Sequence, residues 1–188
     1  MKFYESGDSS KPVIFLFPGT CCLYSSFDHI LDRLHSYFYT VTVSYDGFDP
    51  NEKTEFYSME DECEKIEQEI RKKHGGSIKA AYGCSLGGSF VSLLIQRKRI
   101  HIEHGIIGSS DMDEAGNLVA KIQASMVVPF MYKMVHTGAL PKFMQKKLNK
   151  TDEAKKELYN GFLNMFGIGK GGSPWITKQS IYNQFYSD

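Results

Sequence analysis

Apolar and polar positions alternate in blocks over about the first 110 residues. The run at 13–17 is continuously apolar, which is typical of a strand buried on both faces of a parallel sheet. Between such runs, apolar residues recur at helical spacing, as at Phe27, Ile30, Leu31 and Leu34. The predicted strands are 2–5 (at an edge), 13–17, 39–45, 78–82 and 102–107, and the last of them is also expected to be buried. The predicted helices between them are 25–35, 59–74 and 89–96. This alternation predicts an α/β fold with a doubly wound, mostly parallel sheet.

The alternation stops after Asp113, and the rest of the chain has a helical pattern. Pro129 interrupts one long helical stretch, and Thr151 is the predicted N-cap of a later helix. The predicted helices cover 118–136, 140–148, 151–165 and 173–186, with a Gly-rich turn at 167–172. We therefore expect two units, an α/β core at 1–113 and a helical cap or lid at 114–188.

The stretch Gly83-Cys84-Ser85-Leu86-Gly87 has the pattern G-x-S-x-G and lies between a predicted strand and a predicted helix. A serine on so sharp a turn needs a positive φ, which is tolerated only where its neighbours are small. Gly83 and Gly87 remove the side chains that would collide where the strand and the helix cross. The helix N-terminus points its free N–H groups at the same place. The pattern therefore indicates a nucleophilic Ser85, and the alternative is a chance match in which Ser85 only caps the helix.

The composition is that of an ordinary globular protein of 188 residues, with 41% hydrophobic and 23% charged residues. The 22 basic and 22 acidic residues cancel, so net charge indicates neither a nucleic-acid partner nor an anionic membrane. Lys142, Lys146, Lys147 and Lys150 form a basic face that we interpret as solvated. No apolar run is long enough to span a membrane or to form a signal peptide. The four cysteines lack disulfide or metal-ligand spacing, so we expect free thiols, a cytoplasmic location, no metal and no cofactor.

Three segments are expected to meet at the carboxyl ends of the parallel strands, where such sheets bind ligands. They are Gly19-Thr20, 83–87 and 109–111. The Pro-Gly loop, the strand and helix order, the turn at Ser85 and the later helical segment together resemble the α/β-hydrolase family. The resemblance covers roughly the first 113 residues, and the helices after them resemble the family's cap.

The resemblance implies roles for individual residues. Ser85 matches the nucleophile, and the backbone N–H of Leu86 matches the oxyanion donor that follows it. The loop after the first buried strand supplies the second donor, which we assign to the Thr20 N–H with Cys21 as the second choice. Such donors stabilise negative charge that develops only in the transition state. Pro18 stands where the family usually has a histidine.

The resemblance also requires an acid and a histidine after the serine in chain order. Asp111 is the candidate acid because it follows the next strand, and capping of a helix is its alternative role. His136 is the candidate base, although it lies in the cap rather than after further strands. His101 and His104 flank the start of a strand, away from Ser85, and are interpreted as surface residues. We therefore expect the chain to be a fragment that lacks the strands carrying the acid and the base.

These observations predict a serine hydrolase that acts on a small-molecule ester or acyl substrate and is weak or inactive as this fragment. The alternative is a non-catalytic α/β-hydrolase-like module for binding or assembly. The strand at 102–107 would leave one sheet edge unpaired, so we also expect homo-oligomerisation through that edge. The Met- and aromatic-rich stretch at 125–135 is interpreted as packing of the cap on the core, with the wall of an acyl pocket as the alternative.

Overall fold

The computed structural model describes residues 1–110, 117–169 and 171–187, with the backbone alone for 117–124 and 187. Strands and helices alternate from β2 to β5, as the sequence predicts. In chain order the elements are β1 (Lys2–Ser6), β2 (Val13–Phe17), a 3-10 turn (Tyr24–Phe27), α1 (Asp28–His35), β3 (Tyr39–Ser44), α2 (Met59–His74), β4 (Ser77–Cys84), α3 (Leu86–Arg97), β5 (His101–Gly108), α4 (Asn117–Thr137), α5 (Lys142–Asn149), α6 (Glu153–Asn164) and α7 (Lys178–Ser187).

The five strands form one sheet in the order β1-β3-β2-β4-β5. The four strands β3, β2, β4 and β5 are parallel, and β1 runs antiparallel to β3 with Lys2 opposite Ser44. Each parallel neighbour is reached through a helical crossover, because a tight turn cannot join parallel strands. The predicted mostly parallel α/β sheet is confirmed, and so is the edge position of the first strand.

Strand β2 lies at the centre of the sheet and is buried on both faces. Phe15 and Phe17 belong to one hydrophobic cluster, whereas Ile14 and Leu16 belong to another. Successive side chains of a strand point to opposite faces, so the two clusters mark the two sides of the sheet. The first cluster includes residues of α2 and α3, and the second is covered by α1. Helices on both faces make the sheet doubly wound, as predicted.

Strand β5 is largely exposed, so the prediction of a buried strand at 102–107 is wrong. Ile106 is 47% exposed and Ile107 is 42% exposed. Among the strands that the structure describes, β5 pairs with β4 alone. Glu103 and His104 interrupt its apolar residues, so β5 lacks the continuous apolar run of a strand that is buried between two neighbours.

In the second half of the chain, one predicted helix cap and one predicted helix start differ clearly from the structure. The prediction that Thr151 caps α6 is wrong, because Asp152 caps it by accepting the backbone N–H of Lys155 at 3.0 Å. Helix α7 begins at Lys178, later than the predicted start at 173. Helix α2, by contrast, has the range that the sequence predicts.

Helices α4 and α7 pack back against the sheet. Val128 and Val135 of α4 and Ile181 of α7 are buried in the same cluster as the central strands. The interpretation of this part of α4 as core packing therefore agrees with the structure at Val128 and Val135. No helix in the described ranges is both long enough and apolar enough to cross a bilayer.

Helices α5 and α6 form an excursion, defined here as residues 139–168, whose two ends meet. The backbone N–H of Gly169 donates to the carbonyl of Gly138 at 2.9 Å, and that of Ser173 donates to Val135 at 2.7 Å. A Cβ at Gly172 would lie 2.4 Å from the Gly138 nitrogen, so only glycine allows this approach. The α5–α6 excursion thus leaves the body of the protein and returns to nearly the same point.

Candidate active site

Ser85 lies on a sharp turn between β4 and α3, as the sequence predicts. Its backbone has φ 53° and ψ −128°, a conformation that L-residues rarely adopt. A Cβ at Gly83 would lie 1.9 Å from the carbonyl oxygen of Gly87, and a Cβ at Gly87 would lie 2.1 Å from that of Phe17. These glycines are therefore required where strand and helix cross. The backbone N–H of Ser85 donates to Gly108 at 2.9 Å, which ties the turn to β5.

The Ser85 side chain does not cap the helix that follows it. Ser85 occupies the N-cap position of α3, yet its hydroxyl accepts no backbone N–H there. The alternative in which Ser85 only caps the helix therefore disagrees with the structure. Leu86 opens α3, so its N–H is one of the first-turn N–H groups that have no carbonyl partner within the helix.

The loop after β2 lies directly against the Ser85 turn. A Cβ at Gly19 would lie 3.5 Å from the Ser85 Cβ and 3.2 Å from the Cys84 carbonyl oxygen. Thr20, the predicted oxyanion donor, follows Gly19 and is half-buried. The structure thus brings the predicted loop and the predicted nucleophile together at the carboxyl ends of β2 and β4.

Cys21 is engaged by a residue that the sequence analysis missed. Cys21 is buried with φ 59°, and its backbone N–H donates to Oε1 of Gln184 at 2.8 Å. This hydrogen bond occupies the N–H that was the second choice for the oxyanion hole. Gln184 itself is fully buried, and its Nε2 has no hydrogen-bond partner among the described residues. No local signal reveals this contact, because a glutamine in a helix is usually at the surface.

Buried aromatic side chains hold the loop that follows β2 in place. The hydroxyl of Tyr45, at the end of β3, donates to the Pro18 carbonyl at 3.0 Å in the buried core. The Tyr45 ring stacks on Phe90 of α3 with centroids 4.7 Å apart, and Phe90 in turn stacks on Phe17 of β2. Because these rings have little conformational freedom, they fix the loop relative to α3.

The candidate base and acid are not brought to Ser85 by any described contact. His136 lies on α4 beside Tyr132, with ring centroids 5.0 Å apart, and its buried Nδ1 has no partner in the described part of the chain. Asp111 lies outside the described residues. His101 pairs with Ser77 at the amino end of β4, so it is at the far end of the sheet from Ser85, as predicted.

A buried acidic cluster lies near the end of β3. The carboxylates of Asp46, Asp61 and Glu62 are close enough together to hold a cation. The Lys65 ammonium already lies among them, 2.5 Å from Asp46 and 3.0 Å from Glu62. Burial raises the pKa of Glu62 to about 7, and the charge of Asp46 adds to that shift, while Lys65 opposes it. The cluster is therefore satisfied by a protein cation.

A groove of about 730 Å³ opens between α6 and the 3-10 turn that follows the Thr20 loop. The loop and the groove are linked directly, because the backbone N–H of Leu23 donates to the Met165 carbonyl at 3.1 Å. Ser26 is buried at the groove, and its hydroxyl has no partner among the described residues. The groove is lined by Ser25, Ser26 and His29 on one side and by Leu158, Phe162 and Met165 on the other. Apolar side chains on one wall suit the hydrocarbon part of a ligand.

Solved structures with the same architecture include several enzymes. An alpha/beta hydrolase family protein from Desulfitobacterium hafniense matches with a TM-score of 0.75 at 15% identity, covering 99% of this chain and 71% of that chain. A thermophilic esterase from Thermogutta terrifontis matches at 0.70 and 14% identity, covering 99% and 67%. The enol-lactonase from Burkholderia xenovorans matches at 0.69 and 15% identity, covering 100% and 69%.

These likenesses establish the α/β-hydrolase fold for this chain, as the resemblance in the sequence predicts. At 14–15% identity they establish the fold alone. The chain spans 67–71% of the lengths of these three structures. No protein-family model and no curated protein matches the sequence.

Proposed function

We propose that this chain carries the nucleophile and the oxyanion hole of a serine hydrolase that acts on ester or acyl substrates. The observation that carries the proposal is the strained backbone of Ser85, held between β4 and α3 with the Gly19 loop against it. Strain of this kind persists only where the surrounding structure imposes it, and it clusters at functional sites. Two of the similar structures are named an esterase and an enol-lactonase, which supports a carbonyl substrate.

In this proposal, Ser85 Oγ attacks the substrate carbonyl carbon and forms a tetrahedral intermediate. The N–H groups of Leu86 and Thr20 stabilise its oxyanion, and each such donor typically contributes about 3–4 kcal/mol to lowering the barrier. The intermediate collapses to an acyl-enzyme as the leaving alcohol takes a proton. Water then attacks the acyl-enzyme and regenerates the Ser85 hydroxyl.

The base that removes the Ser85 proton has to come from a histidine, held in turn by a carboxylate. Within these 188 residues, His136 and Asp111 remain the candidates. The similar structures are longer, since the chain spans 67–71% of them, and the family resemblance puts the acid and the base in strands beyond the cap. In either case we expect the chain alone to hydrolyse esters slowly, since members of a triad act as a unit.

The substrate side of the proposal rests on the groove beside α6. Its apolar wall and the buried Ser26 hydroxyl suit a substrate with a hydrocarbon chain and one polar group. The helices from 114 onwards would then act as a cap over the carboxyl ends of the strands. The hydrogen bond between Leu23 and Met165 couples this cap to the oxyanion loop.

A second candidate function is a non-catalytic module for binding or assembly. It is favoured by one observation: no hydrogen bond in the described ranges joins the Ser85 hydroxyl to a histidine. In that case the groove would bind a ligand without turnover.

The decisive experiment compares Ser85→Ala with Ser77→Ala, a change at the exposed far end of the same strand. Purified proteins are treated with a fluorophosphonate probe, and their hydrolysis of p-nitrophenyl esters of increasing chain length is measured. We expect labelling and any hydrolysis to disappear in Ser85→Ala and to persist in Ser77→Ala. Equal labelling of the two variants, or none in the unmodified protein, would favour the non-catalytic module.

A further inference from the structure

Positive charge is concentrated in the helical segment, although the whole chain is neutral. Residues 117–188 carry ten basic and four acidic side chains, whereas residues 1–116 carry twelve basic and eighteen acidic ones. All ten basic residues of the helical segment are lysines, since the last arginine is Arg99. A molecule with charges separated in this way turns its positive side toward an anionic surface.

The densest group of lysines without an ion pair among the described residues lies on α5 and at the residue that follows it. The exposed lysines there are Lys142, Lys146, Lys147 and Lys150. None of the ion pairs found among the described residues involves them. In the next helix, by contrast, Lys155 pairs with Asp152 at 3.0 Å, and Lys156 pairs with Glu153 at 2.8 Å. The α5 lysines are therefore left available to an external anion.

Large apolar side chains are exposed on α5 and on the next helix, α6. Phe143 of α5 is 68% exposed, and Leu158 and Tyr159 of α6 are 75% and 52% exposed. Phe143 shares one side of α5 with Lys146 and Lys147, which lie three and four positions later. An exposed aromatic side chain that shares a helix face with lysines matches a lipid surface, which has anionic headgroups outside and apolar chains beneath.

We propose that the α5–α6 excursion docks on an anionic lipid bilayer, with the α5 lysines at the headgroups and Phe143 inserted at the interface. Short basic amphipathic helices bind in this way without spanning the bilayer. The acidic side chains are concentrated in residues 1–116, which a negative surface repels, so the excursion is the part of the molecule that such a surface attracts. Nucleic acid fits less well, because bidentate contacts to phosphates and bases favour arginine over lysine, and this segment has no arginine. The inference is independent of the chemistry at Ser85.

The test is flotation of the whole protein with two sets of vesicles, phosphatidylcholine alone and phosphatidylcholine mixed with phosphatidylglycerol. We expect binding to the mixed vesicles only, weakened by added salt. The double variant K146Q/K147Q should bind about 30-fold more weakly, since each lysine near such a surface contributes roughly fivefold. F143S should bind roughly 10- to 100-fold more weakly through the lost apolar contact.

The matched control is K53Q/K72Q, which removes the same charge at two exposed lysines of the core. This variant should bind like the unmodified protein. Equal binding to both vesicle types, or equal loss in the two double variants, would overturn the proposal. The proposal would also be overturned if a labelled single-stranded oligonucleotide bound more tightly than the vesicles and F143S left that binding unchanged. A dimer in sedimentation velocity that F143S abolishes would assign the surface to a second copy instead.

Discussion

Gln184 and Cys21 are 163 positions apart in the chain, yet the Gln184 side chain accepts the Cys21 backbone N–H at 2.8 Å in the protein interior. The bond joins α7 to the loop that lies against Ser85. Cys21 has a positive φ, which is costly for a residue with a side chain, so the loop needs an external partner to hold it. Gln184 is thus a positioning residue for the proposed oxyanion loop, and it acts from the opposite end of the chain.

Replacing Gln184 with alanine should loosen this loop. The Cys21 N–H would be left buried without an acceptor, which typically costs about 1–3 kcal/mol. We expect a lower free energy of unfolding in urea and faster hydrogen exchange at the Cys21 amide. The control is Gln179→Ala on the exposed side of the same helix, which should change stability by less than about 0.5 kcal/mol. Slow exchange at Cys21 in Gln184→Ala would contradict the positioning role.

Replacing Gly87 with alanine should prevent the strand and helix from crossing at Ser85. The added methyl would lie 2.1 Å from the Phe17 carbonyl oxygen, which belongs to the backbone and cannot turn away as a flexible side chain could. We expect a loss of at least about 3 kcal/mol of unfolding free energy, measured by urea denaturation. Gly161→Ala in α6 is the matched control, because its methyl meets no atom within 4 Å. There we expect a gain of about 0.5–1 kcal/mol, since alanine favours the helix.

The titration of Glu62 should lower the free energy of unfolding as the pH rises from 4.5 to about 7. Its pKa is raised from 4.5 to about 7, first by burial and then by the charge of Asp46. Between these two values the folded state keeps a proton that the unfolded state has released, so raising the pH favours unfolding. The corresponding loss is roughly 3 kcal/mol, complete above about pH 7.

The measurement is urea denaturation between pH 4 and pH 8 for the unmodified protein and for Glu62→Gln, which stays neutral throughout. The difference in unfolding free energy between the two should grow with pH in favour of the variant. The control is Glu60→Gln, at an exposed position of the same helix, whose unfolding free energy should change with pH as that of the unmodified protein does. A pH-independent difference for Glu62→Gln would show that folding does not raise the pKa of Glu62.

The exposed edge at β5 should cause self-association. Ile106 and Ile107 are partly exposed there, and Ile95 of α3 is 44% exposed beside them. Unpaired strand edges with apolar side chains are templates for pairing with another chain. We expect the sedimentation coefficient to rise with concentration and I106K/I107K to keep the protein monomeric. The control is Tyr37→Lys, which changes an exposed aromatic residue outside β5 and should not alter the association.

The fold was predictable because most of its elements depend on local pattern. The run at β2 is apolar at every position, and it is indeed covered on both faces. The run at β5 is interrupted by Glu103 and His104 and lacks a second neighbouring strand among the described residues, so its predicted burial was wrong. A strand's own sequence reports what it can bury, whereas burial depends on what lies beside it.

The site was predictable only in part, for the same reason. The turn at Ser85 follows from spacing of small residues over five positions, and the structure has the positive φ that the spacing requires. The oxyanion roles of Thr20 and Leu86 stay predictions, and so do those of His136 and Asp111. The hydrogen bond from the Cys21 N–H to the Gln184 side chain joins the first and last parts of the chain. No periodicity or motif in the sequence predicts such a pair.

The closed ends of the α5–α6 excursion make it an exchangeable cassette. Because the chain re-enters beside the point where it left, at Gly138 and Gly169, the thirty intervening residues can be lengthened, shortened or replaced without altering the path of any strand. The groove wall and the lysine-rich surface both belong to this cassette, whereas Ser85 and its supports lie outside it. The proposed substrate groove and membrane surface can therefore evolve by exchange of one segment, while the turn at Ser85 and its supports are inherited unchanged.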